Sequence, residues 1–215
     1  LHYFRIDKRY WSICFERIKR AGFRIISTAV PWNVHQDEKK FLDFAGMTDP
    51  KKDLIVFLEL AREFGFKVIL RPGPTVSGQL KNSGLPAYLF KDLKILARDA
   101  TGEETRVEDP LGVESGYRPS YLHQNYLFHL KSYFKSFIQT TKNYIHPRGP
   151  VFLVEFDFET SFCELEECFT IRAEAYSFCG IDGVNFNEES YSPPGQARRG
   201  LIAPRLAYLR IRAKD

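Results

Sequence analysis

The sequence lacks the motifs that mark several large classes of enzyme. Its 215 residues contain no G-x-G-x-x-G and no G-x-x-x-x-G-K-[ST], so no dinucleotide or phosphate-binding loop is indicated. There is also no H-E-x-x-H and no G-x-S-x-G, the patterns of zinc peptidases and α/β-hydrolases. The four cysteines are too few for a disulfide scaffold, and no pair among the five histidines has ligand spacing. We therefore expect neither a cofactor nor a metal ion.

The chain also has little net charge and no long apolar run. Its 31 basic and 27 acidic residues leave a net charge of +4, which predicts no nucleic-acid partner. The basic tail from 198 to 214 is typical of a solvated terminus. The apolar runs are shorter than the ~20 residues of a membrane helix, and no secretory leader is visible. These absences predict no membrane association and a cytoplasmic location, while the missing initiator Met suggests a piece of a longer chain.

What is present is the pattern of an α/β domain. The composition, 44% hydrophobic with 15% aromatic residues, is that of a globular protein, and we expect one domain over residues 1–215. Strand-like segments occur at 1–6, 23–30, 67–70 and 151–156, with a shorter one at 183–186. Helical spacing of apolar residues begins at Trp11, Leu54 and Leu127, and weaker spacing covers 171–178. A long stretch from 75 to about 120 is predicted to be irregular.

Strands separated by helices predict parallel βαβ units, for which a doubly wound sheet and a (β/α)8 barrel compete. The first usually carries a glycine-rich phosphate turn, which is absent here. In a barrel, functional residues follow the carboxyl ends of the strands. Polar and aromatic residues here do follow strand ends, which favours a partial (β/α)8 barrel.

Two groups at these strand ends suit a sugar. Trp32 can stack on the apolar face of a sugar ring, and Asn33 and His35 can bond its hydroxyls. Arg71, directly after the third strand, can orient a carboxylate or a hydroxyl. The alternatives are a capped loop with Trp32 in the core, and a structural Arg71 paired beneath the barrel mouth.

Three carboxylates alternate along the fourth strand. Glu155, Asp157 and Glu159 fall on one side of it, and their mutual repulsion should raise the pKa of at least one, as a general acid requires. The alternative is a charged edge strand whose carboxylates prevent aggregation.

A family resemblance rests on these same segments. It begins with HYFR at 2–5 and STAVPWNVH at 27–35, and it is strongest at VILRPGP, 68–74, and GLP, 84–86. It resumes at VFLVEFDFET, 151–160, and more weakly at GIDGVNF, 180–186. Together these motifs resemble glycoside hydrolase family 35, the β-galactosidases of the retaining-glycosidase clan.

The resemblance implies a (β/α)8 barrel that hydrolyses β-galactosides or related β-glycosides with two carboxylates and no metal. The acid/base glutamate of the family corresponds to Glu159. Gln79 stands where the family has a glutamate that contacts sugar hydroxyls, and Phe158 stands where it has an asparagine that bonds the 2-hydroxyl. Ala29 and Thr75 replace tyrosines, and Leu80 replaces an aromatic residue. The predicted substrate-binding residues are thus Trp32, Asn33, His35, Arg71, Gln79 and Asp157.

The second catalytic glutamate of the family has no counterpart in the sequence. Only 59 residues follow Phe156, fewer than four further βα units of ~30 residues need. Glu188, after the last short strand, is a weak candidate. We therefore expect an incomplete or internally deleted barrel with little or no β-galactosidase activity. The alternatives are an inactive carbohydrate-binding module and a structural remnant whose open sheet edges favour association with a second copy.

Overall fold

The computed structural model describes residues 1–36, 38, 41–76, 80–98, 102–104, 106, 107, 116–158, 184–186 and 207–209. Its strands are β1 (Ile25–Ala29), β2 (Lys67–Val76), β3 (Arg106–Val107), β4 (Gly116–Tyr117), β5 (Val151–Phe158), β6 (Val184–Phe186) and β7 (Ala207–Leu209). Its α-helices are α1 (Trp11–Arg20), α2 (Trp32–His35), α3 (Leu54–Glu63) and α4 (Gln124–Thr141). No helix in these ranges is long and apolar enough to cross a membrane.

The main sheet has the strand order β1-β2-β5-β7-β6. β1 pairs in parallel with β2, from Ile25 opposite Lys67 to Ala29 opposite Arg71. β2 pairs in parallel with β5, with register shifts that bring Val76 opposite Phe158. The carboxyl ends of these three strands therefore lie at one edge of the sheet, as in the wall of a (β/α)8 barrel.

The helices form where apolar spacing and capping coincide. Asp53 caps α3 by accepting a hydrogen bond from the N–H of Val56, which satisfies one of the free donors of the first turn. The buried side chains of α3 recur at i, i+3, i+4 and i+7, and the helix ends before Gly65, whose φ is 76°. α4 follows the same pattern over 18 residues. Each helix thus presents one apolar stripe to the sheet.

The core lies between the helices and one face of the sheet. Phe57 of α3 is at its centre, with ring centroids 5.0 Å from Tyr3, 5.7 Å from Trp11 and 5.2 Å from Phe15. Alternate strand residues complete it, among them Ile26, Val68, Leu70, Val154 and Phe156. Because side chains alternate along a strand, the intervening residues point to the opposite face. We call this opposite face the inner face, since it corresponds to the inside of a barrel; it carries Ser27, Ala29, Ile69, Arg71, Leu153 and Glu155.

Most predicted elements are confirmed. Strands occur within the segments predicted at 23–30, 67–70, 151–156 and 183–186, and α4 occupies most of the helix predicted at 127–144. The described parts of the segment from 75 to 120 are irregular beyond β2, as expected, with 3-10 helices at Lys81–Gly84, Ala87–Lys91 and Leu93–Ile95 and a short antiparallel pair, β3 and β4. The helix predicted at 171–178 lies outside the described residues.

The predicted strand at 1–6 is wrong. Tyr3–Arg5 form a 3-10 helix instead. This turn buries Tyr3 completely among the aromatic rings of α1 and α3 and brings its hydroxyl to His35. Leu1 and His2 nevertheless lie beside β1, since the terminal amine donates to the Ser27 carbonyl and the Ala29 N–H donates to His2 Nδ1. Tertiary burial of Tyr3 thus outweighs the strand preference of an aromatic segment.

Two further differences concern the sheet. β2 does not end at Leu70, because it continues through Pro72 and Pro74 to Val76 with irregular pairing to β5. Proline is tolerated where the ladder is interrupted by register shifts. The basic tail is not wholly a solvated terminus, because β7 lies within it and pairs antiparallel with both β5 and β6. The sheet is therefore parallel over β1, β2 and β5 and antiparallel from β5 through β7 to β6.

Candidate active site

The candidate site lies where β1, β2 and β5 end. α2 follows β1 after Val30 and Pro31, and the 3-10 helix Lys81–Gly84 follows β2. The hydroxyl of Tyr133, from α4, lies within hydrogen-bonding distance of two carbonyls, 2.8 Å from Val30 O and 2.9 Å from Pro72 O. This buried contact joins the end of β1 to the middle of β2. The hydroxyl of Tyr133 thereby anchors this part of the sheet to the helical layer.

Trp32 lies beneath this rim, in the core. Its ring is fully buried and stacks on Tyr133, with centroids 4.7 Å apart and planes inclined by 13°. Its Nε1 donates to Gln36 Oε1, which also accepts from the Tyr88 hydroxyl at 2.9 Å. With no exposed ring face, Trp32 cannot stack on a sugar in this arrangement. The structure thus agrees with the alternative interpretation, a capped loop with Trp32 in the core.

His35 is likewise fully buried, in a polar network. Its Nδ1 lies 2.6 Å from the Asp43 carbonyl, which can only accept, so Nδ1 carries the proton and Nε2 accepts from the Tyr3 hydroxyl. Burial lowers the pKa of His35 to about 4, against the opposing effect of the bond to Asp43. The imidazole is therefore neutral near pH 7 and occupied on both sides, which disfavours the predicted contact between His35 and a sugar.

The Asp43 carboxylate fixes the loop that holds this carbonyl. Although burial alone would raise the pKa of Asp43, four hydrogen bonds lower it to about 2. They come from the backbone and hydroxyl of Thr48 and from the N–H groups of Met47 and Ala45. This network orders the chain after α2, so that its role is structural.

Asn33, unlike Trp32 and His35, lines an open concavity. A pocket of about 230 Å³ lies between α2 and the segment after β2, lined by Asn33, Gln36, Lys81, Asn82, Leu85 and Ala87 among others. Asn33 Nδ2 donates to the Lys81 carbonyl at 3.2 Å, which joins the two walls. This pocket combines side-chain amides with an apolar wall, as binding sites for polar uncharged groups do.

Arg71 and Glu155 form a buried ion pair on the inner face. Arg71 Nε lies 3.0 Å from Glu155 Oε2, and the side chains are 20% and 3% exposed. The pair bridges β2 and β5 near the middle of both strands. Arg71 is therefore the paired arginine of the alternative interpretation, beneath the edge rather than at an open mouth. The pair also offsets part of the repulsion predicted for the row of three carboxylates.

The remaining predicted site residues are not described. Gln79, Glu159 and the weak candidate Glu188 lie outside the described residues, and Asp157 is described only as part of β5. Phe158, the residue before Glu159, is the last described residue of β5 and pairs with Val76. The prediction that these residues share one concavity with Asn33 and Arg71 therefore stays a prediction. In the described part of the chain, no group of three or more His, Cys, Asp and Glu side chains could hold a metal ion.

Two residues near the rim were missed as functional positions. Glu155 was noted as a carboxylate, but its pairing with Arg71 depends on the register between β2 and β5. Tyr133 gave only the signal of one apolar position in a helix, and its hydroxyl contacts depend on how α4 crosses the sheet. Two replaced positions of the family motif, Ala29 and Thr75, are both buried. They add no exposed aromatic surface to the rim.

Comparisons with known proteins agree with this architecture. The sequence profile described as Glycosyl hydrolases family 35 matches residues 1–104. An exo-β-D-glucosaminidase of Pyrococcus horikoshii is 34% identical over 167 residues, 76% of this chain and 21% of that protein. A β-galactosidase of Felis catus is 36% identical over 126 residues, 58% of this chain and 18% of that protein. The chain thus spans about a fifth of the length of these curated relatives.

A solved structure shows the same fold. The β-galactosidase of the psychrophilic Marinomonas ef1 superposes with a TM-score of 0.52 and 18% identity, covering 73% of this chain and 20% of that one. The sheet and its helical layer therefore define a partial α/β barrel. The chain is a relative of glycosyl hydrolases family 35, whose profile matches residues 1–104, just under half of its length.

Proposed function

We propose that the chain carries the acid/base part of a retaining β-glycosidase site, with Glu159 as the acid/base residue. The observation that carries this proposal is the parallel pairing of β5 with β2, which ends in the pair Val76 and Phe158. Glu159 directly follows that pair in the sequence. The family resemblance supports the same role, because the acid/base glutamate of the family occupies this position in the motif.

The proposed reaction uses two carboxylates. A nucleophilic carboxylate attacks the anomeric carbon as the bond to the leaving group breaks, and Glu159 gives its proton to the departing oxygen. Glu159 then removes a proton from water as that water displaces the enzyme carboxylate. Glu155 is occupied by Arg71, so we assign Asp157 and Glu159 to the site from this row. No residue of the sequence is assigned as the nucleophile, and we expect slow turnover for that reason.

The substrate is proposed to be a terminal β-D-galactoside or β-D-glucosaminide. The β-galactosidase motifs support the first. The second is supported by the exo-β-D-glucosaminidase of Pyrococcus horikoshii, whose similarity covers 76% of the chain against 58% for the Felis catus β-galactosidase. Phe158, in place of the family asparagine at the 2-hydroxyl, removes a contact specific to a neutral 2-hydroxy sugar.

Carbohydrate binding without hydrolysis is the second candidate. It is favoured by Phe158, Ala29 and Thr75, which replace sugar-contacting residues of the family motif with side chains of different chemistry. Ala29 and Thr75, which stand where the family motif has tyrosines, are both buried. Such a chain would bind a sugar weakly and leave its glycosidic bond intact.

The test is hydrolysis of p-nitrophenyl β-D-galactoside and p-nitrophenyl β-D-glucosaminide by the purified chain, with and without azide. We expect slow turnover that Glu159→Gln reduces by about 100-fold or more, since general acid–base catalysis typically contributes that much. Glu63→Gln, at an exposed carboxylate of α3, should leave the rate unchanged.

The azide reaction distinguishes a chain that lacks the nucleophilic carboxylate from one that has it. If the chain supplies no nucleophile, azide attacks the substrate directly, and the chain without any substitution produces the α-glycosyl azide. If a nucleophile exists, Glu159→Ala with azide gives the β-glycosyl azide through the covalent intermediate. Turnover insensitive to Glu159→Gln would overturn the assignment, and sugar binding without any product would establish the second candidate.

A further inference from the structure

The pocket between α2 and the segment after β2 lies at the functional edge of the sheet but away from β5. Its walls follow β1 and β2, whereas Glu159 follows β5, and the strand order is β1-β2-β5. Neighbouring strands lie about 4.8 Å apart, so the ends of β1 and β2 lie roughly 5–10 Å from the end of β5. That separation is about the step from one sugar residue to the next.

The size of the pocket limits its occupant. Drug-sized ligands occupy pockets of about 300–1,000 Å³. At about 230 Å³, this pocket suits one small ring rather than an oligosaccharide. An apolar wall of Leu85, Pro86 and Ala87 can contact the C–H face of such a ring.

Its polar groups are mostly uncharged. Asn33, Gln36 and Asn82 bring three side-chain amides to the lining, while Glu38 at the mouth is already paired with Lys91 at 3.6 Å. Amide groups both donate and accept, as hydroxyl groups do. Lys81 also lines the pocket, and its ammonium group disfavours a positively charged sugar, so the lining suits a hydroxylated ring without positive charge.

Asn33 has an unused acceptor at this site. Because Asn33 Nδ2 faces the Lys81 carbonyl, its Oδ1 is the atom left over, and within the described part of the chain that shielded oxygen has no hydrogen-bond partner. A buried oxygen without a donor destabilises the folded chain. Asn82, which lines the same pocket, has an uncommon φ of 52°. A ligand hydroxyl that reaches Asn33 Oδ1 supplies the missing donor.

We propose that this pocket binds the neutral leaving-group sugar of the substrate, one residue beyond the bond that Glu159 acts on. The proposal rests on the proposed function for the placement of that bond. It adds a second sugar subsite, built by α2 and residues 80–87. It predicts that a β-linked disaccharide binds more tightly than the corresponding methyl monosaccharide.

The experiment measures binding, so that it does not depend on turnover. Lactose and β-D-glucosaminyl-(1→4)-D-glucose, which share neutral glucose as the leaving-group sugar, are each titrated by calorimetry beside the methyl β-glycoside of their terminal sugar, at 4 °C and short contact times. We expect one of the disaccharides to bind about tenfold more tightly than its monosaccharide, a difference of about 1.4 kcal/mol. Ala87→Phe, which fills the pocket from its exposed rim, should abolish that difference.

Ala45→Phe is the matched control, because Ala45 is also exposed and does not line the pocket. It should leave the tenfold difference intact. Lys81→Trp is a second obstruction at the mouth, for use if Ala87→Phe lowers the thermal stability of the chain. An undiminished difference in both obstructed variants, or no preference for either disaccharide, overturns the proposal. Pocket-dependent disaccharide binding without hydrolysis contradicts only the proposed function.

Discussion

At the scale of single residues, His35 links the stability of the core to pH. Its folded pKa is about 4, against 6.5 for the free side chain, so the unfolded chain binds more protons between these values. The contribution is complete above about pH 6.5 and is lost as the pH falls toward 4. We expect the free energy of unfolding to drop by about 3 kcal/mol over this range through His35.

The measurement is urea unfolding at several pH values. His35→Gln should be less stable at pH 7 and should flatten the slope between pH 6.5 and 4. His2, whose pKa burial and neighbouring positive charges also lower to about 4, adds a second contribution of the same sign. An unchanged slope in His35→Gln would show that His2 or another group carries the effect.

The Arg71–Glu155 pair is the second prediction at this scale. Glu155→Ala removes the partner of a largely buried guanidinium, which should lower the free energy of unfolding by about 3 kcal/mol. Replacing both residues with methionine should restore much of this loss, because no buried charge then remains. A double-mutant cycle in urea measures the coupling directly. A loss in the double variant equal to the sum of the two single losses would indicate that the pair contributes little.

At the scale of secondary-structure elements, the start of α3 depends on Asp53. Its carboxylate accepts from the Val56 N–H at 3.0 Å and from Lys8 Nζ at 2.5 Å. Asp53→Ala should cost about 2 kcal/mol, the upper part of the range for a lost N-cap. Asp49→Ala, which removes only the cap of the 3-10 helix Pro50–Lys52, is the matched control and should cost less. Thermal unfolding distinguishes them, and equal losses would contradict a special role for α3.

At the scale of the whole molecule, Phe57 joins the amino-terminal turn, α1 and α3 in one core. It is fully buried and contacts the rings of Tyr3, Trp11 and Phe15. Phe57→Ala should lower the free energy of unfolding by about 3–5 kcal/mol, since the ring leaves a cavity. Phe128→Ala, at a ring that is 70% exposed on α4, should change it by less than about 0.5 kcal/mol. Similar effects of the two changes would mean that the core is not assembled around Phe57.

The family resemblance and the positions of the strands could be predicted from the sequence because they depend on local signals. Apolar spacing around Phe57 and Phe134 marks the faces of α3 and α4, and β-branched runs mark β1 and β2. The ordered motifs from His2 to Glu159 are specific enough to indicate the family. Each of these signals is carried by residues close together in the chain, so no knowledge of long-range contacts was needed.

Other assignments failed because burial depends on residues far away in sequence. The aromatic character of Trp32 and the imidazole of His35 suit a sugar site as well as a core. Tyr133, 101 residues beyond Trp32, decides that the Trp32 ring is covered, and Tyr3 decides that His35 is occupied. Likewise, the distance between Arg71 and Glu155 is set by the register of β2 on β5.

The sequence by itself therefore determined the α/β class, the main helices, the parallel strands and the resemblance to a glycosidase family, because periodicity and motifs are local properties. Only the tertiary structure decided that the segment 1–6 turns inward, that Arg71 pairs with Glu155 and that Asn33 faces a pocket while Trp32 and His35 do not. The physical reason is that an exposed and a buried side chain of the same type differ only in what the rest of the chain places around them.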